Sequence, residues 1–309
     1  MTPTPDLVID LKGPGGEPVD LVRTLFSHGM TSLPPLQLDE PQRALVATLP
    51  LERGKPRTVR IQPDKRGRAA VFLSGRSPGA RTLEDVQAAV RHVLALDRDL
   101  SGFYEVAATD PELSWATIGA GRMIRSATVH EEIVKTICTT NCSWALTTKM
   151  VNALVEHLGE PGVGAPPSGS RGRAFPTAAA MAEMPESFYR EVVRAGYRSP
   201  YFASLAQSVA SGEIDVEALG TAGPEELPDD ELDVQLQALP GIGPYASAHV
   251  MMMLGRYSRL ILDSWTRPKF VKVAGMRRAK DSTIIRRFRP YGPYAGLAFW
   301  LYLTQDWVD

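Results

Sequence analysis

The residue most suited to chemistry is a lone carboxylate, Asp263, which follows the apolar triplet 260–262. A surface aspartate rarely follows three aliphatic residues, and the charges that come next along the chain, Arg267 and Lys269, are cationic. A positioned carboxylate can stabilise a developing positive charge or accept a proton from an attacking water. The competing interpretations are structural: a helix cap, or an ion pair with Arg267.

A second informative segment, Leu239–Val250, has the sequence LPGIGPYASAHV. Gly241 and Gly243 bracket one apolar residue, and Pro244 stands where a helix can begin, since the first turn needs no N–H there. We predict that one helix ends at or just after Leu239 and that a tight hairpin leads into the next. The free N–H groups of such a hairpin can seat one phosphate, helped by the helix dipole. The alternative is a corner that uses glycine only to turn.

Four features together resemble the helix-hairpin-helix (HhH-GPD) DNA glycosylase superfamily. The first is LPGIG followed by Asp263 at the spacing of that family. The segment Val134–Met150 (VKTICTTNCSWALTTKM) is similar to the helix, break and helix that insert a wedge residue into DNA. The segment Tyr291–Trp300 (YGPYAGLAFW) is similar to the closing helix of the alkylpurine (3-methyladenine) and 8-oxoguanine branches. Both branches also carry an N-terminal β-domain.

The resemblance implies that Asp263 is the catalytic residue of a DNA glycosylase, an N-glycosyl hydrolase. Bifunctional members carry a Schiff-base lysine two residues after the second glycine of the hairpin. That position is Tyr245 in this chain, as is typical of the alkylpurine branch. We therefore expect hydrolysis that leaves an abasic site, without AP-lyase activity.

The same matching implies a base pocket that contains Tyr245, His249 and Trp300, whose rings would stack on an extruded base. Phe299 joins this pocket, at the position where the oxoguanine branch has a base-reading glutamine. The alternative for these residues is ordinary core packing. The other histidines show no ligand spacing and are expected at the surface or satisfied in the core: His28, His92, His130 and His157.

Five residues are expected to contact DNA. Asn141 occupies the wedge position, where an amide can bond the orphaned partner base, as in the oxoguanine branch. Alkylpurine enzymes more often have an aliphatic residue there, so Asn141 leaves the choice of substrate open. Gly241 and Gly243 are expected to bind a phosphate, and Arg267 and Lys269 are expected to contact the DNA backbone.

Cofactor expectations follow from the hairpin and from the cysteine count. The resemblance implies that the main-chain carbonyls of Gln237, Leu239 and Ile242 can hold Na⁺ or K⁺. No cofactor is expected to be required. The two cysteines, Cys138 and Cys142, are too few for a four-cysteine iron–sulfur cluster, so none is expected.

The patterning predicts an α+β protein, with an N-terminal antiparallel β-domain in a mixed α/β unit over 1–105 and an all-helical helix-hairpin-helix glycosylase domain over 106–309. Alternation and turns predict strands at 7–11, 58–62 and 69–73. Helical periodicity begins at Thr82. A Gly-, Pro- and Ser-rich stretch, 159–173, predicts a flexible loop. Further helices are predicted at 131–158 with a break at 139–143, and at 178–184, 187–195, 201–211, 229–238, 244–254 and 294–307.

Charge is nearly balanced overall but uneven along the chain. The 309 residues carry 34 Lys+Arg against 35 Asp+Glu, a net charge of −1, so affinity for nucleic acid must be local. An acidic block over 213–233 is expected to form a solvated face. A run rich in Arg and Lys over 256–289 predicts a basic surface that contacts phosphate.

The sequence lacks a signal-peptide pattern and a long apolar run, so we expect a cytoplasmic protein without membrane contact. We also expect a monomer that is associated with the nucleoid. The partner is expected to be damaged double-stranded DNA. The leading hypothesis is a monofunctional base-excision repair glycosylase for alkylated or deaminated purines. The alternatives are an 8-oxoguanine glycosylase and a non-catalytic module that binds damaged DNA.

Overall fold

The computed structural model describes residues 4–76 and 78–308. Its N-terminal part contains a five-stranded antiparallel sheet in the order β1-β5-β4-β3-β2. Three of the strands overlap the predicted ones, and the hairpin formed by β2 and β3 was not predicted. The strands are β1 (Leu7–Ile9), β2 (Leu36–Asp39), β3 (Ala44–Leu49), β4 (Arg57–Pro63) and β5 (Ala69–Leu73).

One face of this sheet is buried against a helix. Val59 and Ile61 alternate along β4, and Ile61 pairs with Val71 of β5. All three side chains are fully buried and pack with Val86 and Val90 of α2 (Ala80–Val93). The sheet therefore forms a core of its own beside the helical part of the chain.

The rest of the chain is helical, as the periodicity predicted. The α+β class is confirmed, although the predicted boundary at residue 105 falls inside α3 and stays a prediction. The remaining helices are α1 (Leu21–Leu25), α3 (Ser101–Ala108), α4 (Val129–Thr139), α5 (Trp144–Leu158), α6 (Ala178–Ala182), α7 (Glu186–Glu191), α8 (Ser199–Ala210), α9 (Val216–Thr221), α10 (Asp229–Gln237), α11 (Pro244–Met253), α12 (Thr266–Val273), α13 (Asp281–Phe288) and α14 (Ala295–Thr304).

Helix α11 lies at the centre of the helical part. Its residues Val250 and Met251 pack with α4, α5 and α8, whereas Met252 and Met253 pack with α3 and α14. A helix that is apolar all round must be buried on every side. The hairpin before α11 is therefore anchored to the whole helical core.

The segment 159–173 contains no helix or strand, as predicted. It is nevertheless folded back on itself, since Pro161 and Arg173 form an isolated bridge and Gly162 N donates to Gly172 O at 2.8 Å. Ser170 Oγ also donates to Asn152 Oδ1 of α5 at 2.6 Å. Within the described residues, no helix is long and apolar enough to cross a membrane.

Candidate active site

Asp263 lies half-buried where the chain enters α12. Its Oδ1 accepts hydrogen bonds from the backbone N–H of Trp265 at 2.8 Å and of Thr266 at 2.6 Å. In return, the backbone N–H of Asp263 donates to Thr266 Oγ1 at 2.9 Å. Oδ2 accepts no hydrogen bond from the residues that the structure describes. One oxygen therefore fixes the carboxylate as a cap, and the other is available for chemistry.

The alternative interpretation of Asp263 as the ion-pair partner of Arg267 does not hold. Arg267 Nε instead donates to Asp281 Oδ1 at 2.8 Å, at the start of α13. Arg267 still lies at the edge of the cleft described below. Its guanidinium is about half exposed, so this surface pair leaves it accessible.

The predicted hairpin joins α10 to α11. Leu239 and Ile242 are buried, and Ile242 N donates to Leu239 O at 3.2 Å. Gly241 has φ +80°, and an added Cβ would lie 2.8 Å from Cδ2 of Tyr201. Gly241 is thus required both for its backbone conformation and for close packing.

Gly243 has neither restraint, because its φ is −106° and an added Cβ would meet open space. The backbone amides of Gly241, Gly243, Tyr245 and Ala246 donate no hydrogen bond to the main chain within the described residues. Four free donors at the start of a helix form a suitable seat for an anion.

The carbonyls that are expected to hold a cation have few hydrogen bonds from the main chain. Gln237 O and Ile242 O accept no main-chain hydrogen bond outside regular helices in the described chain, and Leu239 O accepts only one. Oxygen lone pairs therefore remain for a hard monovalent cation.

The break between α4 and α5 carries Asn141. This residue is exposed and has φ +43°, a left-handed conformation that asparagine tolerates better than most residues. Ser143 then caps α5 by accepting from Leu146 N at 3.3 Å. The predicted break at 139–143 is confirmed.

The break between α4 and α5 is held in place by the buried side chain of Arg198. The side chain is only 3% exposed, and its Nε donates to Ile137 O and to Thr140 Oγ1, both at 3.2 Å. A second guanidinium nitrogen donates to Thr140 O. The ring of Tyr197 covers the guanidinium, 4.4 Å from its carbon. Arg198 therefore connects the break to the start of α8.

These elements enclose one cleft of about 1010 Å³. It brings together most of the residues that the sequence predicted for the site. The lining residues are Thr139, Thr140, Asn141, Cys142, Tyr197, Tyr201, Gln237, Leu239, Gly241, Ile242, Gly243, Pro244, Tyr245, Ala246, Leu262, Asp263, Ser264 and Arg267.

Tyr245 forms the inner wall of the cleft. Its hydroxyl lies 3.3 Å from Thr139 Oγ1, and burial together with the nearby charge of Asp263 raises its pKa. The ring of His249 follows 6.2 Å behind that of Tyr245. His249 does not line the cleft, and burial lowers its pKa to about 4.

Trp300 and Phe299 do not reach the cleft. Trp300 is 8% exposed, donates from Nε1 to Ser27 O at 2.8 Å, and packs on Trp265 with ring centroids 5.6 Å apart. Phe299 is fully buried against Phe270 and Phe288, because α14 is apolar on every side. The structure thus corrects the expectation that Phe299 takes part in a base pocket.

Lys269 also lies outside the cleft, and its Nζ donates to Asp306 at 2.8 Å.

The acidic block is not simply a solvated face, because Asp229 binds Arg256 and Asp233 binds Arg259. The hairpin brings α10 alongside the segment after α11, so acids and bases distant in sequence pair. The cations of the basic run without an acidic partner among the described residues are Lys272, Arg277, Arg278, Lys280, Arg286 and Arg289.

Sequence reasoning missed Tyr197, Tyr201 and Arg198. Tyr197 is 51% exposed at the rim of the cleft, and its ring lies 6.2 Å from that of Tyr201. Exposed aromatic residues leave no periodic signal. The only available indication was their position around Gly196, whose positive φ of 60° marks a turn before α8.

The fold matches solved structures of DNA glycosylases. The chain is similar to a 3-methyladenine DNA glycosylase from Archaeoglobus fulgidus, with a TM-score of 0.71 and 19% identity over 98% of this chain and 99% of that one. It is similar to the apo form of an 8-oxoguanine glycosylase/lyase from Clostridium acetobutylicum, with a TM-score of 0.66 and 18% identity over 90% and 93%. That enzyme in complex with double-stranded DNA containing cytosine opposite 8-oxoguanine gives 0.67 and 18% over 91% and 92%.

No protein-family model and no curated protein matches the sequence. The chain has the fold of the helix-hairpin-helix DNA glycosylases, as the resemblance predicted.

Proposed function

We propose that the chain is a monofunctional DNA glycosylase of base-excision repair that hydrolyses the N-glycosidic bond of an extruded, damaged purine. The observation that carries the proposal is the carboxylate of Asp263. One of its oxygens is fixed by two backbone N–H groups, and the other accepts no hydrogen bond among the described residues. Asp263 lines the same cleft as Asn141 and the hairpin.

The chemistry asked of Asp263 is electrostatic and acid–base. As the bond between C1′ and the base nitrogen breaks, the sugar gains oxocarbenium character. Opposite charges about 4 Å apart attract by about 4 kcal/mol at an effective dielectric constant near 20. If this attraction arises only in the transition state, it is worth about a thousandfold in rate. Water then bonds to C1′ as the bond from C1′ to the base nitrogen breaks, and Asp263 accepts one proton of the water and later releases it to solvent. The base nitrogen keeps the electron pair of the broken bond, so a neutral base takes up one proton from solvent, whereas a cationic alkylated base leaves neutral.

The surroundings of Asp263 support hydrolysis rather than β-elimination. A lyase needs an amine that attacks C1′. Among the described residues that line the cleft there is no lysine, and the one cationic side chain is the guanidinium of Arg267. Tyr245 occupies the inner wall, with its phenol kept neutral by a raised pKa.

DNA would be bound by the hairpin and the break. The free amides of the hairpin supply donors for one phosphate, and an ion held by the nearby carbonyls would add positive charge there. Asn141 is exposed on a loop held by Arg198, as a wedge that enters a duplex must be. Extrusion of a base costs a few kcal/mol, which these contacts must offset.

The nature of the damaged purine has two candidates. Alkylated or deaminated purines are favoured by Tyr245 and by the apolar burial of Phe299, which removes the place of a base-reading amide. Oxidised purines are favoured by the amide of Asn141 and by the conformation of its loop.

The test is a single-turnover incubation with duplexes that each carry one lesion: an alkylated purine, hypoxanthine or 8-oxoguanine. Half of each sample is heated in alkali before the strands are separated. Cleavage only after alkali is the expected result and identifies the substrate. Cleavage without alkali would contradict the hydrolytic mechanism. Salt-sensitive binding without base release from any duplex would instead favour a non-catalytic binding module.

A further inference from the structure

Two buried histidines lie behind the wall of the cleft that Tyr245 forms. His249 is 7% exposed and follows Tyr245 by one turn of α11. His28, 5% exposed, comes from the N-terminal part of the chain, and its ring meets that of His249 edge-on at 6.4 Å. Both were expected to be ordinary surface or core residues, or, for His249, a stacking ring. The hydrogen bond of His28, and the nitrogens of both rings that are unpartnered among the described residues, indicate a role in binding a ligand.

The tautomer of His28 is fixed by its one hydrogen-bond partner among the described residues. Its Nε2 lies 2.8 Å from the carbonyl oxygen of Ile124, which can only accept, so Nε2 carries the proton. Burial lowers the pKa of His28 to about 3, and the nearby His249 and Lys135 act in the same direction. The neutral ring therefore presents Nδ1 as an acceptor, and Nδ1 is buried without a partner among the described residues.

His249 is in a similar state. Its Nδ1 is buried and unpartnered within the described residues, and burial lowers its pKa to about 4. A buried polar group without a partner loses its hydrogen bond to water and gains none in return. Two such groups in contact are therefore a standing cost, which a ligand with complementary donors and acceptors would remove.

Aromatic side chains connect both histidines to the surroundings of Asp263. Tyr245 borders one side of His249. Trp300 donates to the carbonyl of Ser27, the residue before His28, and packs on Trp265. The backbone N–H of Trp265 in turn donates to Asp263 Oδ1. The cleft stops at Tyr245, whose hydroxyl has Thr139, at 3.3 Å, as its one hydrogen-bond partner among the described residues. A shift of this one ring would extend the cleft to the pair.

We propose that His28 and His249 form the floor of the base pocket and select purines that carry an N–H donor on the base edge that faces the two histidines. The proposal rests on the proposed glycosylase function. His28 Nδ1 accepts the N–H of the base. His249 makes no hydrogen bond among the described residues that would fix its tautomer, and it donates to an adjacent acceptor of the base. Hypoxanthine, with N1–H beside O6, satisfies both histidines, whereas 1,N⁶-ethenoadenine has no N–H on that edge.

The test compares single-turnover base release from two matched duplexes, one with hypoxanthine and one with 1,N⁶-ethenoadenine. The wild type should prefer hypoxanthine, and His28→Leu should reduce that preference by about 10- to 100-fold, the value of one buried hydrogen bond. His130→Leu is the matched control, because His130 is also buried with both ring nitrogens unpartnered but does not border the cleft. The preference of this control should be unchanged.

The outcomes separate the two proposals. Base release with the same preference in His28→Leu and in the wild type would overturn the histidine floor and leave the glycosylase intact. Release from no lesion duplex at all would overturn the glycosylase, and the floor with it. If His28→Leu does not fold, ¹⁵N NMR of the wild-type imidazoles replaces it. On adding a duplex with a non-hydrolysable hypoxanthine nucleotide, the His28 Nδ1 resonance must shift, and an unshifted resonance in the bound state would refute the proposal.

Discussion

The guanidinium of Arg198 binds the carbonyl oxygen of Thr140, directly before the exposed Asn141. Arg198 directly precedes α8, so this contact joins the break between α4 and α5 to the start of the helix that carries Tyr201. A single buried cation therefore holds the loop that is proposed to enter DNA.

Arg198→Leu should lower the free energy of unfolding by about 2–3 kcal/mol, because the carbonyls of Ile137 and Thr140 lose a charged donor. It should also weaken base extrusion, measured as a smaller rise in the fluorescence of 2-aminopurine placed next to the lesion. Arg190→Leu is the control, since its pair with Glu186 is exposed and worth less than about 1 kcal/mol. Equal stability losses in the two variants would contradict the proposal that Arg198 holds the break between α4 and α5.

The two glycines of the hairpin should behave differently. Gly241→Ala places a side chain at φ +80° and against Tyr201, so it should destabilise the protein by at least about 1–2 kcal/mol. Gly243→Ala meets no atom, so stability should change by less than about 0.5 kcal/mol. If a phosphate sits on the hairpin, Gly243→Ala should still weaken duplex binding. Chemical denaturation measures the stability of both variants, and binding titrations measure their affinity for duplex DNA. Unchanged affinity in Gly243→Ala would contradict phosphate binding at the hairpin.

Stability should fall with acidification because of buried neutral histidines. A histidine in the unfolded chain has a pKa near 6.5, whereas burial lowers the pKa of His130 to about 4. The unfolded state thus binds more protons between these values, and stability is lost as pH falls through this window, by at most about 1.4 kcal/mol per pH unit for each such histidine. His28 and His249 act with the same sign, and Glu132, with its raised pKa, acts with the opposite one.

His130→Leu isolates one of these groups, since its imidazole makes no hydrogen bond among the described residues and the other groups cancel in the comparison. Denaturation measured from pH 7 to pH 4 should show a shallower loss of stability in the variant, by about one proton. Parallel curves would mean that His130 is protonated equally in both states.

The cations after α12 that have no acidic partner among the described residues should contribute to the salt dependence of DNA binding. Replacing Arg277 and Arg278 by Ala should reduce the slope of log K against log salt by about 0.9 for each phosphate that the variant no longer neutralises. Lys65→Ala in the turn between β4 and β5 is a matched control, being an exposed cation in the N-terminal sheet. A slope that falls equally in both would indicate a general charge effect rather than a DNA-facing surface.

The parts of the site that the sequence predicted are those fixed by local chemistry. Gly241 favours a turn and Pro244 favours a helix start whatever the fold of the rest of the chain. Asp263 follows an apolar run, which must end where a charged side chain can reach the surface. The break around Asn141 was visible because two threonines and a serine interrupt a helical period.

The rest depended on contacts between distant segments. Lys269 is matched to Asp306 only once α12 and the C-terminus pack together, and Phe299 is buried by helices that follow no short-range rule. The pairing of His28 with His249 joins residues from opposite parts of the chain. No local pattern could show that their nitrogens would be left without partners.

The most direct test of the central claim is base release by Asp263→Asn on the lesion duplex that the wild type cleaves best. Single-turnover release should fall about a thousandfold, whereas duplex affinity should stay within about threefold, because the amide still fits the space of the carboxylate. Asp281→Asn is the control, as it removes a carboxylate that binds Arg267 at the edge of the cleft and should release the base at nearly the wild-type rate. Wild-type turnover in Asp263→Asn would contradict the account.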